Sequence, residues 1–303
     1  MSTMSQVPHP LAAAAGLVVD QLFDEPATSV HPVAHFGRVM ADFEARTYRD
    51  DVHHGVTHAL VGVSIGVAAG RTVRSTTLAT GLAVGGRALW RAAREIAHAL
   101  ETGDLDRARE LLPTLVGRDP HDLDESEIAR AVVESVAENT VDAIVAPAFW
   151  AAVAGAPGAL AYRAINTMDA MVGHHSPRYE NYGAPSARLD DAANWVPARV
   201  TAALVAMVRV KNTSAIRTAV ATQAPAHPSP NAGVAEAAFA AALDLELGGV
   251  NHYGERTEDR VRLGVGRAVR VSDIHEAIRL SRDVTYALVS LLGLAGLTLW
   301  WRR

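Results

Sequence analysis

The feature that most limits this chain is the length of its charge-free runs. Residues 52–70, between Asp51 and Arg71, contain no Asp, Glu, Lys or Arg, and neither do residues 284–301, between Asp283 and Arg302. Each meets or approaches the roughly 20 apolar residues that a helix needs to cross a bilayer. The second ends in Trp300-Trp301-Arg302-Arg303, an aromatic and basic terminus suited to a cytoplasmic interface. Residues 75–90 are shorter and would return the chain after 52–70. Residues 10–22 read as an N-terminal helix whose apolar run ends at Asp20, without the basic start of a secretory leader.

The run 143–162 is long enough to span, but its middle reads Gly155-Ala156-Pro157-Gly158, which is strong turn punctuation. A straight helix would hold Asp142 and Asn166 on opposite sides of a membrane. Two short arms would return both to one side, and the sequence predicts this hairpin, buried so that its broken backbone is satisfied. Residues 192–210 contain Pro197, Arg199 and Arg209 and read as an interfacial or protein-buried helix. A soluble bundle of alanine-rich helices is the competing reading, but glycine-rich, charge-free runs flanked by arginines fit a bilayer better. The expected fold is all-α: one polytopic, membrane-embedded helical domain over 1–303, with its site on the polar segments.

Composition narrows the chemistry. There is no cysteine, which excludes disulfides, thiolate metal sites and cysteine nucleophiles. A net charge of −5 argues against a nucleic-acid partner. Half the residues are apolar, yet the mean hydropathy is only +0.09, so the segments between the apolar runs must be strongly polar. Few aromatics and an excess of alanine, valine and leucine favour helices.

Within those segments, Asp124 followed by Glu127 has the form of a helix start. From there Glu127, Glu134 and Glu138 fall in a narrow sector of one helix, with Asp142 nearby. Such like charges repel, so either solvent screens them or a cation compensates them. The stripe runs into an apolar segment where unpaired carboxylates are costly, which points to Mg²⁺ or a substrate ammonium. Asp190-Asp191 beside Arg188 would suit metal and phosphate together, although such residues are also common helix caps. The loop His227-Pro228-Ser229-Pro230-Asn231-Ala232-Gly233 precedes an alanine-rich helix whose N-terminus could cradle an anion; a structural turn explains its prolines equally well. Residues 248–254 form a second glycine-rich turn. His54 and His58 have metal-ligand spacing but no third ligand in view, and His174-His175 reads as an exposed loop pair.

Together these segments resemble the adenosylcobinamide-phosphate synthase family of cobalamin biosynthesis, CobD/CbiB. The resemblance covers nearly the whole chain. It runs from Asp20–Pro26, His31-Pro32-Val33 and Gly37-Arg38 through Val116-Gly117-Arg118-Asp119 to the block Glu134-Ser135-Val136-Ala137-Glu138-Asn139-Thr140-Val141-Asp142. It continues through Ala146-Pro147, Phe149-Trp150, Tyr162, Ala164, Asn166-Thr167, Asp169 and Met171-Val172-Gly173. Ala187–Asp191, Asn194, Pro197-Ala198-Arg199 and His227–Gly233 complete it. Departures from the pattern are small. Ala143 stands in place of a glycine, Met168 and Ala170 in place of leucine and serine, and Asp24-Glu25-Pro26 in place of a Gly-Asp/Glu-Pro turn.

The resemblance implies a multi-pass plasma-membrane ligase whose site faces the cytoplasm. It would join a propionate of adenosylcobyric acid to aminopropanol or its O-phosphate, with ATP consumed. A carboxylate needs activation before amide formation, most simply as an acyl phosphate, and this calls for Mg²⁺, cationic clamps and a base. The residue chemistry then suggests Asp190 and Asp191, with Asp142, for Mg²⁺. Arg118, Arg188 and Arg199 would hold phosphate, and Glu134 or Glu138 would bind or deprotonate the amine. Asn139, Asn166 and Asn231 would orient substrates, with Asp169 and His227 beside them. Expected partners are the corrinoid and aminoalcohol substrates, membrane lipid and other late cobalamin-pathway enzymes. Two rival readings are an intramembrane Mg²⁺-dependent prenyltransferase, which would need an apolar groove for its isoprenoid, and a non-catalytic membrane relative.

Overall fold

Caps and prolines set where most of the helices begin and end. The computed structural model describes residues 7–23, 31–117, 120–174, 176–253 and 256–302, and the side chains outside 250–260. Helix α1 (His9–Leu22) has Pro10 in its first turn. Helix α2 (Pro32–Thr47) begins with a proline, and the His31 ring accepts the Val33 N–H at 3.2 Å. In α3 (Val52–Val73), Asp51 caps the His54 N–H at 2.8 Å, and Arg74 ends the helix in left-handed backbone. Ser75 caps α4 (Thr76–Ala83); α5 (Gly86–Glu101) and α6 (Leu105–Leu111) follow. Helix α7 (Glu125–Thr140) starts at the capping box that the sequence predicts, with Asp124 and Glu127 each accepting the other's backbone N–H.

A π-helical turn, Val141–Val145, leads into α8 (Ala146–Met168), and a second, Asp169–Gly173, follows it. Then come α9 (Ala184–Val208), α10 (Thr213–Thr222) and α11 (Ala232–Leu243), the antiparallel strands β1 (Leu247–Tyr253) and β2 (Arg256–Leu263), and α12 (Ser272–Trp301).

The strand pair departs from the all-α expectation. Gly248 and Gly249, read from sequence as a turn, lie in β1 with φ of 84° and 89°, where the register shifts. A side chain on Gly248 would collide with the Val261 carbonyl, so the glycine permits a close backbone approach that a helix could not use. Residues 75–90 are also not one returning helix. They break at Val84-Gly85, and α4 is only about 12 Å long, too short to cross a bilayer.

Three stretches of the described residues are long and apolar enough to cross a membrane: Val52–Val73, Glu125–Gly173 and Ser272–Trp301. The second is not straight. It breaks at Gly155, whose φ of 65° and ψ of −152° only glycine adopts readily, and Pro157 then starts the second arm. The arms 146–154 and 156–168 are about 14 and 20 Å long, each less than a bilayer.

The chain divides into two compact units. The first takes Met1–Gly85, Asp142–Asn194 and Leu288–Arg303; the second takes Gly86–Val141 and Trp195–Ala287. In the first, α3 lies directly on the second arm of α8. Side chains on Gly62, Gly66 and Gly70 would meet Met168, the Leu160 carbonyl and the Pro157 backbone respectively. Small residues at this spacing let two backbones approach closely. Ala13, Ala79, Ala83, Ala151, Ala156 and Ala159 close the packing of α1 and α4 on the hairpin. In the second unit, the buried Ser281 hydroxyl accepts the Trp90 indole N–H at 2.9 Å and the Thr140 hydroxyl at 2.7 Å, joining α12 to α5 and α7.

Candidate functional site

The hairpin brings the far ends of α8 together. Asp142 and Asn166 are twenty-four residues apart, about 36 Å along a straight helix. Yet the Asn166 amide donates to Asp142 Oδ2 at 3.3 Å. The same amide donates to Asp190 Oδ1 at 3.4 Å, and the Asn194 amide reaches Asp190 Oδ2 at 2.9 Å. The buried Tyr162 hydroxyl in turn donates to Asn194 Oδ1 at 2.8 Å, and Arg163 Nη1 reaches Asn166 Oδ1 at 3.4 Å. Both oxygens of a carboxylate only 8% exposed are therefore met by amide donors.

Prolines explain why the backbone holds this shape. Pro147 has no N–H to offer the Ala143 carbonyl four residues earlier, and that carbonyl accepts the Gly85 N–H at 2.9 Å instead. Pro197 likewise frees the Ala193 carbonyl, which accepts the Trp150 indole N–H at 3.1 Å and ties the first arm to α9 beside Asn194. Asp142 and Asp169 each sit in a π-helical turn, an irregularity that is frequent at functional sites. A side chain on Gly173 would overlap the Asp169 carboxylate, so that glycine leaves room for it.

Burial pushes the Asp190 carboxyl up to about 7, helped by the neighbouring Asp169 charge and opposed by the Asn194 and Asn166 donors. Burial raises Asp191 as well. Successive residues on a helix do not face each other, and the hydrogen-bond partners of Asp190 lead to Asp142 and not to Asp191. Asn166 thus links Asp190 to Asp142, while the charges of Asp169 and Asp191 both act on the Asp190 carboxyl. These are hard oxygen donors of the kind Mg²⁺ takes, often only one or two carboxylates at a time beside phosphate. Among the described residues no cluster of three or more His, Asp or Glu forms a ready-made metal cage. His54 is bound to Asp51, and His58 Nδ1 meets the Tyr182 hydroxyl at 2.8 Å. Arg188 is exposed on α9.

In the second unit, Arg199 meets Asn231 as part of a shared cluster. Its Nη1 donates to Asn231 Oδ1 at 3.2 Å, and the guanidinium stacks 4.2 Å from the Trp195 ring centroid. Burial lowers its pKa from the usual arginine value. The His227 ring packs against Glu236, Nε2 to Oε1 at 3.8 Å, and Nδ1 accepts the Ser229 N–H at 3.1 Å. The Ser229 hydroxyl accepts the N–H groups of Asn231 and Ala232, so donors expected to cradle an anion are already capped.

The acidic stripe of α7 separates by function. Glu127 closes the capping box. Glu134 is buried, accepts the Gly248 N–H at 2.8 Å and lies 3.9 Å from Arg130. Glu138 is exposed, while the Asn139 amide donates to the Ser135 carbonyl at 2.9 Å. Arg118, like Asp24–Pro26 and His175, lies outside the described residues.

The family model described as CobD/Cbib protein matches residues 13–281. The chain belongs to the CobD/CbiB family. Among its relatives, the cobalamin biosynthesis protein CobD of Mycobacterium tuberculosis is 46% identical over 89% of this chain and 90% of its own length. The protein of that name from Halalkalibacterium halodurans is 38% identical, covering 95% of this chain and 97% of its own. One from Sinorhizobium is 37% identical, with 87% and 90% covered. No solved structure matches the chain.

Three residues of this CobD/CbiB chain's hairpin network were not singled out as site residues from the sequence: Tyr162, Arg163 and Asn194. The signal was spacing. Asn194 lies one helical turn after Asp190, and Tyr162 one turn before Asn166, so each shares a face with a residue that was singled out.

Proposed function

We propose that this chain is a membrane-embedded ligase of cobalamin biosynthesis, joining adenosylcobyric acid to aminopropanol or its O-phosphate. The products are adenosylcobinamide or its phosphate, ADP and inorganic phosphate. The reading rests on membership of a family whose relatives carry the name cobalamin biosynthesis protein CobD. The observation that carries it into chemistry is the buried Asp190 carboxylate, joined through Asn166 to Asp142.

The corrinoid carboxylate oxygen attacks the γ-phosphorus of ATP, and the bond to the β,γ-bridging oxygen breaks to release ADP. The amine nitrogen then attacks the acyl carbon of the acyl phosphate. Inorganic phosphate leaves, and the ammonium proton passes to a base. Asp190, with Asp142 or Asp169, would hold Mg²⁺, which would supply charge neutralisation on the phosphates. Asn166 and Asn194 fix the Asp190 carboxylate in place. Arg199, aligned by Asn231 and Trp195, is a clamp for phosphate oxygens. With Glu134 engaged by a backbone N–H, exposed Glu138 is the better base for the amine. Cytosolic ATP requires these segments to face the cytoplasm.

The test is turnover by detergent-solubilised protein given adenosylcobyric acid, aminopropanol phosphate, ATP and Mg²⁺, read by mass spectrometry. An ATP-dependent product carrying the condensed amine supports the ligase. No product with any aminoalcohol, beside a working control synthase, would sink it.

A further inference from the structure

An apolar groove of about 440 Å³ opens in the first unit, walled by Phe36 and Val39 of α2, Ile65 and Ala69 of α3, and Leu160 of the second hairpin arm. Its volume is in the range of built small-molecule sites, roughly 300–1,000 Å³. One of its lining residues is a cation, Arg163. Among the described residues, the buried Arg163 Nε–H has no hydrogen-bond partner, and the guanidinium makes only the long contact to Asn166. A buried, unmet donor on a charged group is costly, more so on a helix packed against a candidate membrane span. An anion beside an apolar tail would satisfy both features at once, the guanidinium through charge-assisted bonds and the walls through burial.

We propose that this groove binds one anionic phospholipid, with an acyl chain between α2, α3 and the hairpin and its phosphate on the Arg163 guanidinium. The proposal rests on the membrane reading but not on the ligase chemistry. Bound lipid would press on the residue that touches Asn166, and so on the element that carries the carboxylates. The apolar character of the groove is also what an isoprenoid would need, and the test separates the two.

Purified protein in detergent is extracted, and its lipid is identified by mass spectrometry, with the host membrane extract as reference. The expected result is close to one phosphatidylglycerol or other anionic phospholipid per chain, enriched at least several-fold over phosphatidylethanolamine. Arg163→Gln should return that ratio to the membrane's own, while Arg163→Lys keeps part of it. Ala69→Phe fills an exposed part of the groove and leaves the guanidinium intact; it should remove most bound lipid of either kind. If Arg163→Gln does not yield monodisperse protein, Ala69→Phe decides alone. Wild type without enriched anionic lipid, an isoprenoid phosphate in its place, or Ala69→Phe with full lipid content would each overturn the proposal. Failure of the membrane reading would show separately, as protein that leaves the membrane without detergent.

Discussion

Asp190 sets the clearest expectations for single residues. Its folded-state pKa of about 7 lies above the ordinary carboxyl value near 3.8, so the folded state holds a proton that the unfolded state releases. Stability from this group is therefore fully present below pH 4 and is lost as pH rises from about 4 through 7. Thermal melts without divalent cation should fall across that window, and Asp190→Asn should flatten the fall. Mg²⁺ favours the charged carboxylate, so it should raise the melting temperature at pH 8 in wild type and much less in Asp190→Asn. An equal Mg²⁺ response in both would remove Asp190 from the metal site. Asn194→Ala leaves Asp190 Oδ2 and the Tyr162 hydroxyl without their partner and should destabilise by about 1–3 kcal/mol. Tyr162→Phe removes only the outer bond and should lose about 0.5–1.5 kcal/mol by the same melts.

The element that matters most is the hairpin, and its weak point is one glycine. Alanine at Gly155 would hold a backbone that L residues rarely adopt, with the new carbon 3.0 Å from the His9 ring and 3.2 Å from Thr76 Oγ1. Gly155→Ala should therefore destabilise by about 1–3 kcal/mol. Because the turn holds Asn166 against Asp142, the variant should lose turnover beyond its loss of folded protein, measured on monodisperse material. Gly66→Leu tests the other side, since its side chain would enter the Leu160 carbonyl and part α3 from the second arm. It should lower the melting temperature more than Gly293→Leu, whose added carbon meets nothing within 4 Å.

For the whole molecule, the exposed faces of the long apolar helices are the feature to explain. On α12, Leu291, Leu294, Leu297 and Trp300 are all exposed, a stripe that water would not stabilise over such a length. Lipid contact would account for it. The protein should stay in the membrane pellet after alkaline carbonate extraction. Leu294→Arg adds about 3–4 kcal/mol against insertion and should move a measurable fraction to the supernatant. Complete extraction of wild type would count against the membrane reading.

Much of this protein is written locally. The runs 52–70 and 284–301, the capping box at Asp124 and Glu127, and the break expected at Gly155–Gly158 follow from short-range rules: apolar length, reciprocal caps and turn residues. Those rules act over a few neighbours, so the sequence alone determined them. The order of polar words along the chain also determined its family. Partnership was another matter. That Asn166 bridges Asp142 and Asp190 and that Glu134 accepts a strand N–H both depend on residues far apart in sequence. So does the β1–β2 pair, whose glycines read as a turn until a second strand lies beside them. Hydrogen bonds and desolvation depend on what lies within a few ångströms, and only the tertiary structure decided that.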